Sequence, residues 1–113
     1  MWTQRLPMDR TEALSIPRLV KQRVAHRDSV GGWPCCILCG KPAPSRHILG
    51  FSNAHYISRA QGGLGIEKNI LTLCWACHQA YDGPERNTLQ PILRRYLREH
   101  YDDWDEEDLI YKK

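Results

Sequence analysis

Phenylalanine is nearly missing from this 113-residue chain, which holds one Phe against five Tyr and four Trp. No apolar run comes near the roughly 18 residues that a membrane span requires, so the chain reads as soluble. An export signal is also lacking: between Met1 and Val20 the charged residues Arg5, Asp9, Arg10, Glu12 and Arg18 interrupt any apolar h-region. The expected location is the cytoplasm. Thiols stay reduced there, so the five cysteines do not suggest a disulfide framework, and metal binding is the better reading. There is no internal repeat and no low-complexity tract. A chain of 113 residues suits one domain and leaves little room for a separate cofactor-binding half.

The net charge of +3 is mild but unevenly spread. Residues 1–50 carry eight Lys/Arg against three Asp/Glu, residues 51–86 three against three, and residues 87–113 five against seven. The acids of the last stretch bunch between Asp102 and Asp108. A basic half suits a polyanion such as nucleic acid, and equally a solvated charged surface.

Residues 1–15 have no clear period and include Pro7, which suggests a loosely held N-terminal arm. In the segment that follows, Ile16, Leu19, Val20 and Val24 fall on one face at helical spacing while Arg18, Lys21, Arg23 and Arg27 occupy the rest. This predicts a short basic helix over 16–27, with Ser15 as N-cap, Pro17 in its first turn and Gly31-Gly32 ending it. The stretch 41–53 reads as a loop. Short strands are expected over 53–58 and 69–73, separated by a flexible loop at Gly62, Gly63 and Gly65. Trp75 to Tyr81 suits a helix stopped by Gly83-Pro84. Leu89, Ile92, Leu93, Tyr96 and Leu97 predict a last helix to about Tyr101, capped by Thr88, with Pro91 tolerated in the first turn.

Cys36 and Cys39 form one CxxC, Cys74 and Cys77 another, and 34 residues lie between the pairs. Four thiolates are what tetrahedral Zn²⁺ needs, and the two-residue gap lets both sulfurs of a turn reach one ion. A redox dithiol needs only one pair and usually a βαβ setting. Zinc here would be a structural brace that folds the loop 40–73 back on itself. Cys35 has no partner and reads as a small buried hydrophobe, or as a substitute for Cys36.

His55, Asn69 and His78 lie in and just after that loop, with Asp82 one helical turn beyond His78. Positions 78 and 82 point to the same side of a helix and can share a divalent cation, with His55 facing it across the hairpin. A near-neutral histidine opposite a metal is suited to activating water against a phosphodiester. Each residue also has a plainer reading: Asp82 suits a turn before Gly83-Pro84, Asn69 suits a loop cap, and His26, His47 and His100 read as surface residues.

The order AHYISRAQGG, EKN and LCWACHQAYDG, with CxxCG upstream, resembles the HNH endonuclease family, in particular its small zinc-braced phage and prophage type. The resemblance covers about residues 16–86, with weaker similarity through the tail. His55 to Asn69 is 14 residues and Asn69 to His78 is 9, spacings that suit the family's three named positions. It implies a small α+β fold, a treble-clef-like ββα-metal unit with a four-Cys zinc site and flanking N- and C-terminal helices. The expected divisions are an arm at 1–15, a nuclease domain at 16–86, and a C-terminal helix and acidic tail at 87–113. The resemblance further implies His55 as general base, Asn69 as the residue pinning the hairpin loop, and His78 and Asp82 as ligands of Mg²⁺ or another divalent cation. Arg59 and Lys68 would grip phosphates near the hairpin, and Arg18, Lys21, Arg23 and Arg27 would contact DNA from the helix. One departure stands out: many members carry an Asp or His ligand immediately before the general base, and this chain has Ala54. The cation would then keep His78 and Asp82, with Asn53, a carbonyl or waters filling the gap.

The expected activity is metal-dependent DNA phosphodiester hydrolysis. One such site cuts one strand, so a monomer would nick, and a double-strand break would need a dimer or a partner. A second reading is a zinc-braced DNA-binding or adaptor module without turnover, for which Ala54 argues. A third is an interaction piece of a phage packaging machine whose acidic tail, Asp102 to Asp108, docks on a basic partner. The plain alternative for that tail is a solvated helix end.

Overall fold

A computed structural model describes residues 9–46 and 51–112. His47 and residues 1–8 lie outside the described residues. The order of elements is α1 (Arg10–Leu14), α2 (Arg18–Arg27), β1 (Ser29–Val30), β2 (Trp33–Pro34), β3 (Asn53–His55), β4 (Ile70–Thr72), α3 (Trp75–Asp82) and α4 (Arg86–His100). Single 3-10 turns occupy Arg59–Gln61, Glu67–Asn69 and Glu106–Leu109. The fold is a small α+β arrangement with two antiparallel two-stranded sheets, β1-β2 and β3-β4. No helix among the described residues is long and apolar enough to cross a membrane.

The β3-β4 hairpin pairs Asn53 with Thr72, Ala54 with Leu71 and His55 with Ile70. Alternation along β3 buries Ala54 completely and leaves Asn53 and His55 half-buried on the other face. Ala54, Leu71 and Leu73 join Tyr81, Leu93, Leu97, Trp104 and Leu109 in one core between the hairpin, α3 and α4. The strand stops at His55, short of the expected residue 58, because Asn69 replaces the ladder. Its backbone carbonyl accepts Tyr56 N–H at 2.7 Å and its side-chain Oδ1 accepts Ile57 N–H at 2.8 Å.

Several expectations need correction. Residues 9–15 are not a loose arm: Asp9 caps α1 by accepting Glu12 N–H at 2.8 Å, and Leu14 is buried at 2% exposure. Gly65 N–H binds Ala13 O at 3.0 Å, and a Cβ at position 65 would land on the Ser15 carbonyl, so only glycine lets α1 sit this close. Ser15 closes α1 instead of capping α2, whose N-cap is Pro17. The Gly31-Gly32 pair does not end α2; Asp28 does. Both glycines have positive φ, 59° and 81°, and they form the two-residue turn of the β1-β2 hairpin. Helix α4 begins at Arg86, before Thr88, which puts Pro91 in its second turn on an exposed face.

The acidic tail is not a solvated helix end; it folds back onto the core. Leu109 is fully buried, Leu64 N–H binds Leu109 O at 2.8 Å, and Tyr111 N–H binds Gly62 O at 2.8 Å. Burial of Trp104 and Leu109 outweighs the tail's charge, and its acids Asp102, Asp103, Asp105, Glu107 and Asp108 remain on the outside.

The largest departure from expectation is Arg27. Its guanidinium lies inside the protein, paired with the buried Asp28 carboxylate at 2.7 and 3.1 Å, and it also donates to the carbonyls of Glu67 and Ile70. Asp28 in turn accepts Tyr96 OH at 2.6 Å and Thr72 N–H at 2.9 Å. Arg27 therefore ties α2, β4 and α4 together and does not face a phosphate. Burial opposes the charge on Arg27, but the Asp28 carboxylate and Tyr101 hydroxyl more than restore it, so the guanidinium stays protonated. Asp28→Ala would strand a buried cation and is expected to cost about 3–5 kcal/mol in urea denaturation, with loss of the α2–β4 contact.

Candidate functional site

The four paired cysteines meet. Cys36 and Cys39 sit on the turn after β2, while Cys74 caps α3 and Cys77 lies in its first turn. Their sulfurs all lie within 4.8 Å of one another, and Cys39 and Cys74 are 3.7 Å apart. Four sulfurs about 2.3 Å from a central zinc ion would be separated by about 3.8 Å, so the cluster has the dimensions of a tetrahedral metal site. In each pair the second residue's backbone N–H points at the first residue's sulfur at 3.5 Å, the orientation that stabilises a thiolate. Burial pushes the Cys77 thiol up, and Cys74 hands it a further upward shift. Burial also opposes ionisation of Cys74, yet the N–H and thiol of Cys77, with Cys39 and Cys36, draw it down to about 7. The turn is tied to the hairpin by Ile37 N–H on Thr72 O at 3.0 Å. Cys35 points away from the cluster and donates to Trp33 O at 3.2 Å.

The hairpin face carrying Asn53 and His55 forms one wall of a cleft of about 670 Å³, and α3 brings His78 and Asp82 to the other. Arg59, on the turn after β3, and Arg86, at the start of α4, also line it. His78 Nε2 and Asp82 Oδ2 are 3.0 Å apart, because residues four apart in α3 stack along one face. That is the length of a direct His–Asp hydrogen bond, and it is also the spacing that two adjacent ligands of a small divalent cation would take. Ser52 Oγ holds His78 Nδ1, which fixes the ring with Nε2 toward the cleft.

His55 Nε2 donates to the Leu14 carbonyl at 2.8 Å. A carbonyl only accepts, so the proton sits on Nε2 and the Nδ1 lone pair is left as a base. Burial lowers the His55 pKa; the Leu14 carbonyl opposes this, and the positive charge of Arg59 adds to the lowering. The balance favours the neutral imidazole. The helix α1 that sequence reading dismissed as an arm thus supplies the group that orients this histidine.

The remaining expected residues separate into distinct places. Asn69 is fully buried and reaches no cleft atom; its Nδ2 donates to Ile57 O at 3.1 Å and Leu64 O at 2.9 Å, so it pins the loop between β3 and β4. Lys68 is engaged with Asp103 at 2.9 Å and is not a cleft residue. On α2, Arg18 and Arg23 are exposed, Lys21 is partly so, and Arg23 pairs with Glu67 at 3.4 Å. Sequence reading missed Arg86, which donates to Tyr56 O at 2.8 Å with its guanidinium 4.0 Å from Asp82. Its four-residue spacing from Asp82 was visible, but the Gly83-Pro84 break concealed that the two would meet. Ser52 and the Leu14 carbonyl carried no sequence signal, since both act only through distant partners. Comparison with family models, with curated proteins and with solved structures found no match.

Proposed function

We propose that this protein is a zinc-braced, divalent-cation-dependent endonuclease of the HNH type, which hydrolyses DNA phosphodiester bonds and nicks one strand per site. The observation that carries this reading is the placing of His55, its Nε2 hydrogen-bonded to Leu14 O, in the same cleft as the His78–Asp82 pair, which leaves Nδ1 as the candidate base. On this reading β3, β4 and α3 are a ββα-metal unit, and the cysteine cluster holds structural zinc.

His55 Nδ1 takes a proton from a water molecule, and the resulting hydroxide attacks phosphorus in line with the departing 3′ oxygen. His78 Nε2 and Asp82 Oδ2 would hold the divalent cation, which supplies Lewis-acid stabilisation of the charge gathering on the phosphate and leaving oxygen. Arg59 and Arg86 set positive charge along the cleft, where non-bridging phosphate oxygens would lie. Arg18, Lys21 and Arg23 remain suited to outlying phosphates. By the family resemblance, the products carry 5′-phosphate and 3′-hydroxyl ends.

Supercoiled plasmid incubated with the zinc-loaded protein and Mg²⁺ or Mn²⁺ is expected to relax to the nicked form, whereas His78→Ala gives at most about one hundredth of that rate. Tight DNA binding without nicking at any cation concentration would discard the nuclease reading. It would favour a non-catalytic DNA-binding or adaptor module. A specific observation supports that second reading: among the described residues, the four cysteines alone form a group of three or more His, Cys, Asp or Glu side chains at metal-ligating distance.

A further inference from the structure

The cleft contains an unexplained amide. Asn53 lines it on the same strand face as His55, opposite His78 and Asp82 on α3. Its Nδ2 is buried and has no hydrogen-bond partner. The one other buried side-chain polar atom without a partner among the described residues is Thr72 Oγ1, and Thr72 is the residue directly opposite Asn53 in the β3-β4 ladder. Side chains of directly opposed residues emerge on the same face with Cβ atoms about 5 Å apart, close enough for an amide and a hydroxyl to meet. Leaving both unpaired is unfavourable, because each loses its water without gaining a partner. With Nδ2 the buried end of the amide, a rotamer of Asn53 that paired Nδ2 with Thr72 Oγ1 would satisfy the amide donor and leave Oδ1 as the end available to the cleft. An amide oxygen held in this way is a neutral ligand for a hard or borderline cation.

We propose that Asn53 Oδ1 is a third protein ligand of the cleft cation beside His78 and Asp82, with Thr72 Oγ1 as the hydrogen-bond acceptor that orients it. The proposal rests on the reading of the cleft as a cation site. Residue 54 contributes only a methyl group to the core. One imidazole, one carboxylate and one amide carry a single negative charge. Such a set holds its cation loosely and suits Mn²⁺, which accepts both nitrogen and oxygen donors, better than Mg²⁺, which favours an all-oxygen shell.

The test uses the full zinc-loaded chain without DNA, titrated with Mn²⁺ while free Mn²⁺ is followed by electron paramagnetic resonance. Asn53→Ala is expected to weaken Mn²⁺ binding about tenfold or more, and Thr72→Val to weaken it to a lesser degree. Asn53→Asp adds a charge and is expected to tighten binding about tenfold, a gain that misfolding cannot mimic. His78→Ala should abolish the site. If His78→Ala abolishes Mn²⁺ binding while Asn53→Ala and Asn53→Asp both bind as the parent does, Asn53 is not a ligand and the proposal is overturned, with the cation site left standing. If His78→Ala also binds Mn²⁺ normally, the cleft is not the cation site and both readings fall together.

Discussion

Stripping the metal from the four-cysteine cluster is expected to unfold the protein. Cys36 and Cys74 belong to the core itself, and the cluster joins the turn after β2 to the start of α3 across the intervening loop. Both sheets are only two-stranded, and hairpins of two or three residues per strand have little stability of their own. Zinc bound by four thiolates contributes roughly 10–16 kcal/mol in small domains, comparable to or above the roughly 5–15 kcal/mol that separates a typical domain from its unfolded state. A strong chelator, or Cys39→Ser, should therefore remove the cooperative thermal transition seen by circular dichroism, with release of one zinc per chain. Cys35→Ala is the control: Cys35 lies outside the cluster and its replacement should change stability by less than about 1 kcal/mol. A protein that contains no zinc, or a Cys39→Ser variant that melts as the parent does, would show that the sulfurs brace nothing.

The second large effect is expected at His55. Replacing it by Gln keeps an N–H donor that can reach the Leu14 carbonyl while deleting the basic nitrogen, so the variant separates chemistry from folding. Loss of a general base costs about 10²- to 10⁴-fold in rate, and plasmid nicking should fall by that factor while zinc content and melting temperature hold. The pH profile provides a second check. Burial lowers the His55 pKa, so the base form persists into mildly acidic solution and the rising limb of rate against pH should lie below the ordinary histidine value of about 6.5. The same depression means that protons bind the unfolded chain more readily. The resulting contribution to stability is complete above the ordinary value and is lost as pH falls from there through the lower folded value. Nicking by His55→Gln at the parental rate would remove His55 from the mechanism.

Parts of the molecule were legible because their determinants are local. The two CxxC pairs announce a shared ligand through spacing alone, and His78 and Asp82 share a face because a helix repeats every 3.6 residues. The β3-β4 hairpin and the stripe of α4 followed from short-range alternation and helical period. Arg27 shows where such reasoning stops. Its position on a basic helix suggested solvent and phosphate, yet the carboxylate that takes it inward is the next residue in the chain, and the carbonyls that complete its coordination are 40 and 43 residues away. Nothing in a local pattern separates a buried arginine from an exposed one when the deciding partners are that remote. The tail misled for the same reason: a dense run of acids suggested solvent, while Trp104 and Leu109 between them supplied the apolar contacts that fold it back.

The sequence by itself determined which donors are available and in what local order: four sulfurs in two turns, two imidazoles, and a carboxylate one helical turn from one of them. Only the tertiary structure decided how those donors are oriented. It set the Leu14 carbonyl on His55, put Ser52 behind His78, and left the Asn53 amide opposite Thr72 at the edge of the cleft. Ligand spacing and helical period act within a few residues and can be read along the chain. The direction in which an imidazole or amide points is fixed by groups brought near it through core packing, and the linear sequence does not display those contacts.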